Sequence, residues 1–375
     1  MKFVTIYLTR LLLKLFYIFP VQKDKVIYMS YGGKKFNCNP KYVYRYLLDN
    51  TSNLRHVWVL EDTKNKDLDQ GTKQINNKGL TFIYNMLTAK VIISNASLPT
   101  YLPIRSKQRY IDTWHGGGAY KKTGVSYNRT PFQIKKLEWI SEELDIFVSS
   151  SRIFTETKSE NHLISKEKFF EVGMPRNDVL FEKNEEFIMK VKKYYNVDPE
   201  TNIVLYAPTY RKEDDDASYY EWIDFQEVTR ALENKFGGKW VVMTRMHYYL
   251  DDKINFEHAI NVSSYDDLQE LLQATDVLIT DYSSVMWDFS LTRKPCFVYA
   301  PDLEDYEKNR SFFTPPERWP FKIASSNEEL AEAIEYFNQE EYNEAVRRHH
   351  SEQGSFETGT ATEKVARKVL DYIEE

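Results

Sequence analysis

A succession of short apolar runs, each closed by a polar cluster and followed by a helical stretch, is the strongest constraint on this chain. In the first half the runs fall at residues 25–29, 56–60, 90–94, 109–113, 145–149 and 169–172. Several are continuously apolar rather than alternating, as strands of a parallel sheet covered on both faces must be. Between them lie helix signals such as Asn39-Pro40-Lys41, with proline in the first turn of a helix expected to reach about Leu48. A charged helical stretch at residues 182–195 interrupts the pattern, which restarts at residues 202–206 and continues at 240–243, 277–279 and 296–299. Helices are expected at 265–274 and 362–375. At 375 residues the chain is long enough for two domains. The expected fold is therefore α/β, with two Rossmann-like doubly wound domains at residues 21–183 and 184–350 and a helical segment at 351–375.

The first 20 residues stand apart. They are strongly apolar, yet Lys2, Arg10 and Lys14 interrupt them, and a spanning helix needs about 20 apolar residues. Pro20-Val21-Gln22-Lys23 follows where a secretory signal would need small residues. An amphipathic helix lying on the cytoplasmic face of the membrane is the preferred reading, and a helix packed on the chain's own core is the competing one. Between Arg105 and Lys136 stand eight basic residues and one acid, with Tyr120, Tyr127 and Phe132 among them and Trp139 just beyond. That segment suits an anionic membrane surface or substrate, or is simply a solvated basic loop. The net charge of −6 argues against a nucleic-acid partner. Cys38 and Cys296 give no disulfide framework, which fits a reducing compartment. No metal-ligand cluster stands out, and no cofactor is implied.

The chemistry-bearing residues sit just after predicted strands. Trp114-His115-Gly116-Gly117-Gly118 follows one, Gly173-Met174-Pro175-Arg176-Asn177-Asp178 another, and Pro208-Thr209-Tyr210-Arg211 a third. Arg245-Met246-His247 and Asp281-Tyr282-Ser283-Ser284 follow two more, with Asp288 one turn onward. In doubly wound sheets such positions line the ligand crevice. Two guanidiniums, two imidazoles and serines at a helix start suit a pyrophosphate and a hydroxyl acceptor, the helix dipole adding to the serines. Each residue has a plainer role: Ser283 or Ser284 as a helix cap, Asp288 as a cap rather than a ribose contact, the histidines as structural, the arginines as ion-paired. The Gly-x-Ser-x-Gly elbow that would make His115-Gly116-Gly117-Gly118 an oxyanion hole is absent, as are the dinucleotide fingerprint and the phosphate loop.

Taken together, these motifs, with Lys294-Pro295, Tyr299 and residues 302–306, resemble the CDP-glycerol:polyglycerophosphate glycerophosphotransferase family over roughly residues 20–350. The resemblance implies a GT-B arrangement, two Rossmann-like domains facing across a cleft. It implies transfer of glycerol phosphate or a related polyol phosphate from CDP-glycerol or another CDP-polyol to a lipid-linked saccharide or polyol-phosphate acceptor at the membrane. On the same footing His115 is the expected general base, its pKa near 6.5. His247, Arg211, Ser283 and Ser284 are expected to hold the donor pyrophosphate, with Arg245 neutralising charge and Trp114, Gly116, Arg176, Asn177, Pro208, Thr209, Asp281 and Asp288 completing the substrate site. The family usually continues Trp-His-Gly with Thr-Pro, where this chain has Gly117-Gly118. A GT-B glycosyltransferase using a nucleotide sugar is the alternative.

Overall fold

The computed structural model describes residues 2–127, 130–209, 222–246, 256 and 258–375. The chain divides into two compact units. The first holds Met1–Gly117, Thr123–Asp178 and Ser355–Glu375, and the second holds Gly118–Lys122 and Val179–Gly354. The change of unit falls between Asp178 and Val179, and residues from Ser355 onward belong with the first unit.

The first unit contains β1 (Gln22–Met29), β2 (Arg55–Val59), β3 (Lys73–Ile75), β4 (Ala89–Ser94), β5 (Arg109–Asp112), β6 (Ile146–Ser149) and β7 (Phe169–Glu171). They form one sheet in the order β3-β2-β1-β4-β5-β6-β7, parallel throughout. The second unit contains β8 (Asn202–Ala207), β9 (Trp240–Thr244), β10 (Ala259–Asn261), β11 (Val277–Thr280), β12 (Cys296–Tyr299) and β13 (Lys322–Ala324). Their order, β10-β9-β8-β11-β12-β13, is also parallel. Each chain segment winds outward from its first strand and then crosses back over it. The switch points therefore fall between β1 and β4 and between β8 and β11, where such sheets take ligands.

The burial that drives this is direct. Every residue of β4, β11 and β12 is buried. Helix Phe225–Phe236, capped by Asp224 on the N–H groups of Gln226 and Glu227, turns Phe225, Val228, Ala231 and Leu232 inward. Helix Ala361–Glu374 buries Ala361, Val365, Ala366, Val369 and Tyr372 along one face. Its start is fixed in the first unit by the Asp178 carboxylate, which accepts the N–H groups of Ala361 (3.0 Å) and Thr362 (2.6 Å).

The N-terminal helix Lys2–Leu13 continues as a 3-10 turn, Lys14–Ile18. One face docks on the first unit. The Phe3 ring lies 4.9 Å from Phe132 and 5.8 Å from Trp139 between centroids. Arg10 pairs with Glu143 and donates to the Thr100 carbonyl at 2.7 Å. The other face leaves Val4, Leu8, Leu11, Leu12 and Leu15 between 52% and 70% exposed. Among the described residues no helix is long and apolar enough to cross a membrane.

Candidate active site

In the first unit the site is built on the loop after β5. Trp114 adopts a left-handed backbone (φ +51) that an indole side chain disfavours. Two buried residues impose it. The Asp112 carboxylate accepts the Trp114 N–H at 2.8 Å, and Asn39 Nδ2 donates to the carbonyls of Thr113 and Trp114 at 2.9 Å each. The His115 ring stacks on the indole with centroids 4.5 Å apart. Its Nδ1 lies 2.6 Å from the Asn95 carbonyl. A carbonyl only accepts, so Nδ1 carries the proton and Nε2 is left as the acceptor. Burial lowers the His115 pKa to about 4, with the nearby Arg176 and Lys158 charges pushing the same way against the Asn95 hydrogen bond. The expectation of a value near 6.5 is corrected by that burial.

Lys158, itself buried, places its ammonium 3.8 Å from the Trp114 ring centroid and donates to Thr123 Oγ1 at 3.2 Å. Burial lowers Lys158 to about 7 and raises Asp112 to about 6. Arg176 and Asn177 belong to the same unit and are tied into its framework. The Arg176 N–H donates to Asn39 Oδ1 at 2.9 Å and its Nη1 to Cys38 Sγ at 3.3 Å. Asn177 Nδ2 donates to Glu357 Oε1 at 3.0 Å. Asn39 thus joins the Arg176 turn to the Trp114 turn. Gly116 is buried in the same loop.

In the second unit the switch point between β8 and β11 is closed by Asp281. Its carboxylate accepts from Thr209 N–H at 2.9 Å, Thr209 Oγ1 at 2.6 Å and Tyr282 N–H at 2.5 Å. Asp281 is buried, and these bonds tie the loop leaving β8 at Thr209 to the end of β11. Ser283 and Ser284 are half-exposed while the four residues after them are buried. Ser284 makes no side-chain capping bond, and Ser283 Oγ accepts Val285 N–H at a long 3.4 Å. The helix they open, Val285–Ser290, has six residues, too few for the strong dipole expected there. What remains at that turn are local N–H groups and two hydroxyls.

Other expected contacts take different forms. Arg245 Nη1 donates to the carbonyls of Val262 (3.1 Å) and Tyr265 (2.8 Å), which anchors the loop after β10. Asp288 is fully buried and accepts from Gln269 Nε2 at 3.2 Å rather than capping the helix. Arg211 and His247 lie outside the described residues. Asn39, Asn95, Asp112 and Lys158 were not anticipated. Asn95 alone carried a signal, since it follows an apolar run as the chosen residues do.

Two parallel-sheet Rossmann-like units, one carrying an acceptor imidazole and the other a serine-lined switch point, define a transferase of GT-B-like fold. Residues 11–371 match the family described as CDP-Glycerol:Poly(glycerophosphate) glycerophosphotransferase, and the chain belongs to it. The teichoic acid poly(glycerol phosphate) polymerase of Bacillus spizizenii is 30% identical over 374 residues, covering 94% of this chain and 93% of that one. The teichoic acid glycerol-phosphate transferase of Staphylococcus aureus is 29% identical over 369 residues, covering 93% of each. The chain spans 49% of the longer Bacillus subtilis polymerase. The solved wall teichoic acid polymerase TagF matches with a TM-score of 0.86 at 26% identity, covering 100% of this chain and 95% of that one. A TagF variant soaked with CDPG gives 0.87 at 26%, covering 98% and 93%.

Proposed function

We propose that this enzyme transfers glycerol phosphate from CDP-glycerol to a hydroxyl of a lipid-linked polyol-phosphate acceptor at the cytoplasmic membrane surface. The acceptor oxygen attacks the phosphorus that bears glycerol, the bond to the bridging oxygen breaks, and CMP leaves. The acceptor proton passes to His115 Nε2. The observation that carries this role is the 2.6 Å contact of Nδ1 with the Asn95 carbonyl, which fixes the tautomer a general base needs. Ser283, Ser284 and the neighbouring N–H groups are assigned to the donor phosphates, with Arg211 and His247 assigned by motif alone. The N-terminal helix is assigned to the membrane on its bare apolar face. A cavity of about 370 Å³ lined by Arg10, Lys14, Tyr17, Ile104 and Arg105 opens beside it.

The test is incubation with a panel of CDP-polyols and nucleotide sugars plus a lipid-tailed glycerol phosphate oligomer, with nucleotide release and product mass followed together. CMP release with a gain of glycerol phosphate is expected. A gain of hexose with release of a nucleoside diphosphate would overturn the assignment. His115→Ala should lower kcat by about 10² to 10⁴ while leaving CDP-glycerol affinity near wild type. Wild-type turnover in that variant removes His115 as the base.

A further inference from the structure

At the switch point of the first sheet, the loop leaving β1 meets the loop leaving β4. Tyr31, Gly32 and Gly33 follow β1 with φ of +49, +72 and +96. Glycine adopts that region readily, whereas tyrosine is strained in it. Tyr31 is 37% exposed, and its ring centroid lies 5.5 Å from that of His115. Its hydroxyl points inward, 3.8 Å from Cys38 Sγ, so the ring rather than the hydroxyl is what the surface presents.

Asn95, the first residue after β4, is completely buried. Its Oδ1 accepts the Tyr31 N–H at 2.7 Å, and its backbone carbonyl accepts Nδ1–H of His115 at 2.6 Å. One residue therefore fixes both rings. Its Nδ2 is buried with no hydrogen-bond partner among the described residues. Backbone strain and an unmade hydrogen bond thus stand side by side next to the imidazole, at the place where doubly wound sheets bind ligands.

We propose that Tyr31 is an acceptor-recognition residue and that Asn95 is the positioning residue that sets its ring against His115. The exposed ring packs on the C–H face of the acceptor polyol while the terminal hydroxyl of that polyol reaches His115 Nε2. This inference rests on the transferase reading above, and it names the part of the first unit that selects a polyol-phosphate chain as acceptor.

Steady-state kinetics with CDP-glycerol and an octyl-tailed glycerol phosphate oligomer test it. Asparagine tolerates the left-handed region, so Tyr31→Asn should keep or raise Tm. It should raise the acceptor KM about tenfold, the scale of one lost aromatic contact, with the donor KM unchanged. Tyr31→Phe should restore the acceptor KM. Asn95→Ala should also raise it, and the double variant with Tyr31→Asn should be less than additive, because the two residues act through one contact. An unchanged acceptor KM in Tyr31→Asn overturns the proposal, as does a fall in Tm with both KM values rising equally. A wild-type enzyme that releases no CMP from CDP-glycerol would instead strike the transferase reading, and this inference with it.

Discussion

As the proposed base, His115 is weaker than its position in the chain suggests, but more dependable. Burial holds it near 4, so at cellular pH almost every molecule carries the neutral imidazole with Nε2 ready to accept. A base must be unprotonated to act, so rate is lost only as pH falls through its own pKa. The pH profile of kcat/KM is therefore expected to show no acid limb between pH 5 and 8, and a limb near 6.5 would contradict the buried assignment. Lys158 contributes to that depression and stands over the Trp114 ring. Lys158→Met should raise the His115 value towards, but not to, its ordinary one, and NMR titration of the imidazole would measure the shift. The motif Trp114-His115-Gly116 was legible because chemistry and local sequence coincide there. Asn39, Asn95 and Lys158 were not, because each acts on that loop from a distant part of the sequence: Asn39 reads only as a helix start, Asn95 only as the end of an apolar run, and Lys158 lies within helix Arg152–His162.

Most elements were legible in proportion to their burial, although β7, a three-residue edge strand with no buried residue, was also marked by Phe169-Phe170. The long central strands announced themselves as apolar runs. The unanticipated strands β3, β10 and β13 have three residues each and lie at or next to the sheet edges, where Lys73-Gln74-Ile75 and Lys322-Ile323-Ala324 need only a partial apolar face. The helix expected at residues 265–274 begins instead at Leu268, because Asp267 caps the N–H of Gln269. The Gly117-Gly118 departure from the family pattern also has an element-level reason. Gly118 stands at φ +67, and a Cβ there would lie 2.5 Å from Tyr120 Cε2 and 3.0 Å from Trp287 Cε3. Both rings are buried in the core of the second unit. Gly118→Ala is thus expected to lower stability by about 1–3 kcal/mol, read as a shift in denaturant midpoint. The N-terminal helix has its own test. Val4, Leu8, Leu11 and Leu12 share one face of the helix, and exposed Leu15 follows in the 3-10 turn. Replacing Leu8, Leu11 and Leu12 with Gln should abolish flotation with anionic liposomes while leaving turnover of a soluble acceptor intact. Undiminished flotation would remove that face from membrane binding.

For the whole molecule, the buried histidines set an acid limit on stability. His349 and His350 lie on helix Gln339–Gln353 in the second unit, both buried. The Arg318 carbonyl accepts from His349 Nδ1 at 3.1 Å, so Nε2 is the acceptor for the Tyr120 hydroxyl at 3.0 Å. His350 Nε2 meets Ser290 Oγ at 2.7 Å, and because that hydroxyl donates to the Trp287 carbonyl, the imidazole is the donor. Burial lowers His349 to about 4 and His350 to about 3, the latter also under the charge of its neighbour and of Arg293. The unfolded chain takes up a proton near 6.5, well before either folded ring does. Between roughly pH 6.5 and 4 the unfolded state therefore binds more protons, so stability rises with pH across that window and is lost as pH falls. A gap of two units or more is worth on the order of 3 kcal/mol per imidazole once pH has crossed it. Asp112 works in the opposite direction, because its raised folded value near 6 gains stability as pH falls below it, and this offsets part of the loss. The expected outcome is a Tm that falls steadily between about pH 6.5 and pH 4.5, while above pH 7 Lys158, lowered by burial to about 7, makes stability rise further with pH. Replacing His349 and His350 with Gln, which does not titrate, should lower Tm at neutral pH through imperfect packing yet flatten its decline with acid. A decline of unchanged slope in that variant would place the acid sensitivity elsewhere than in this helix.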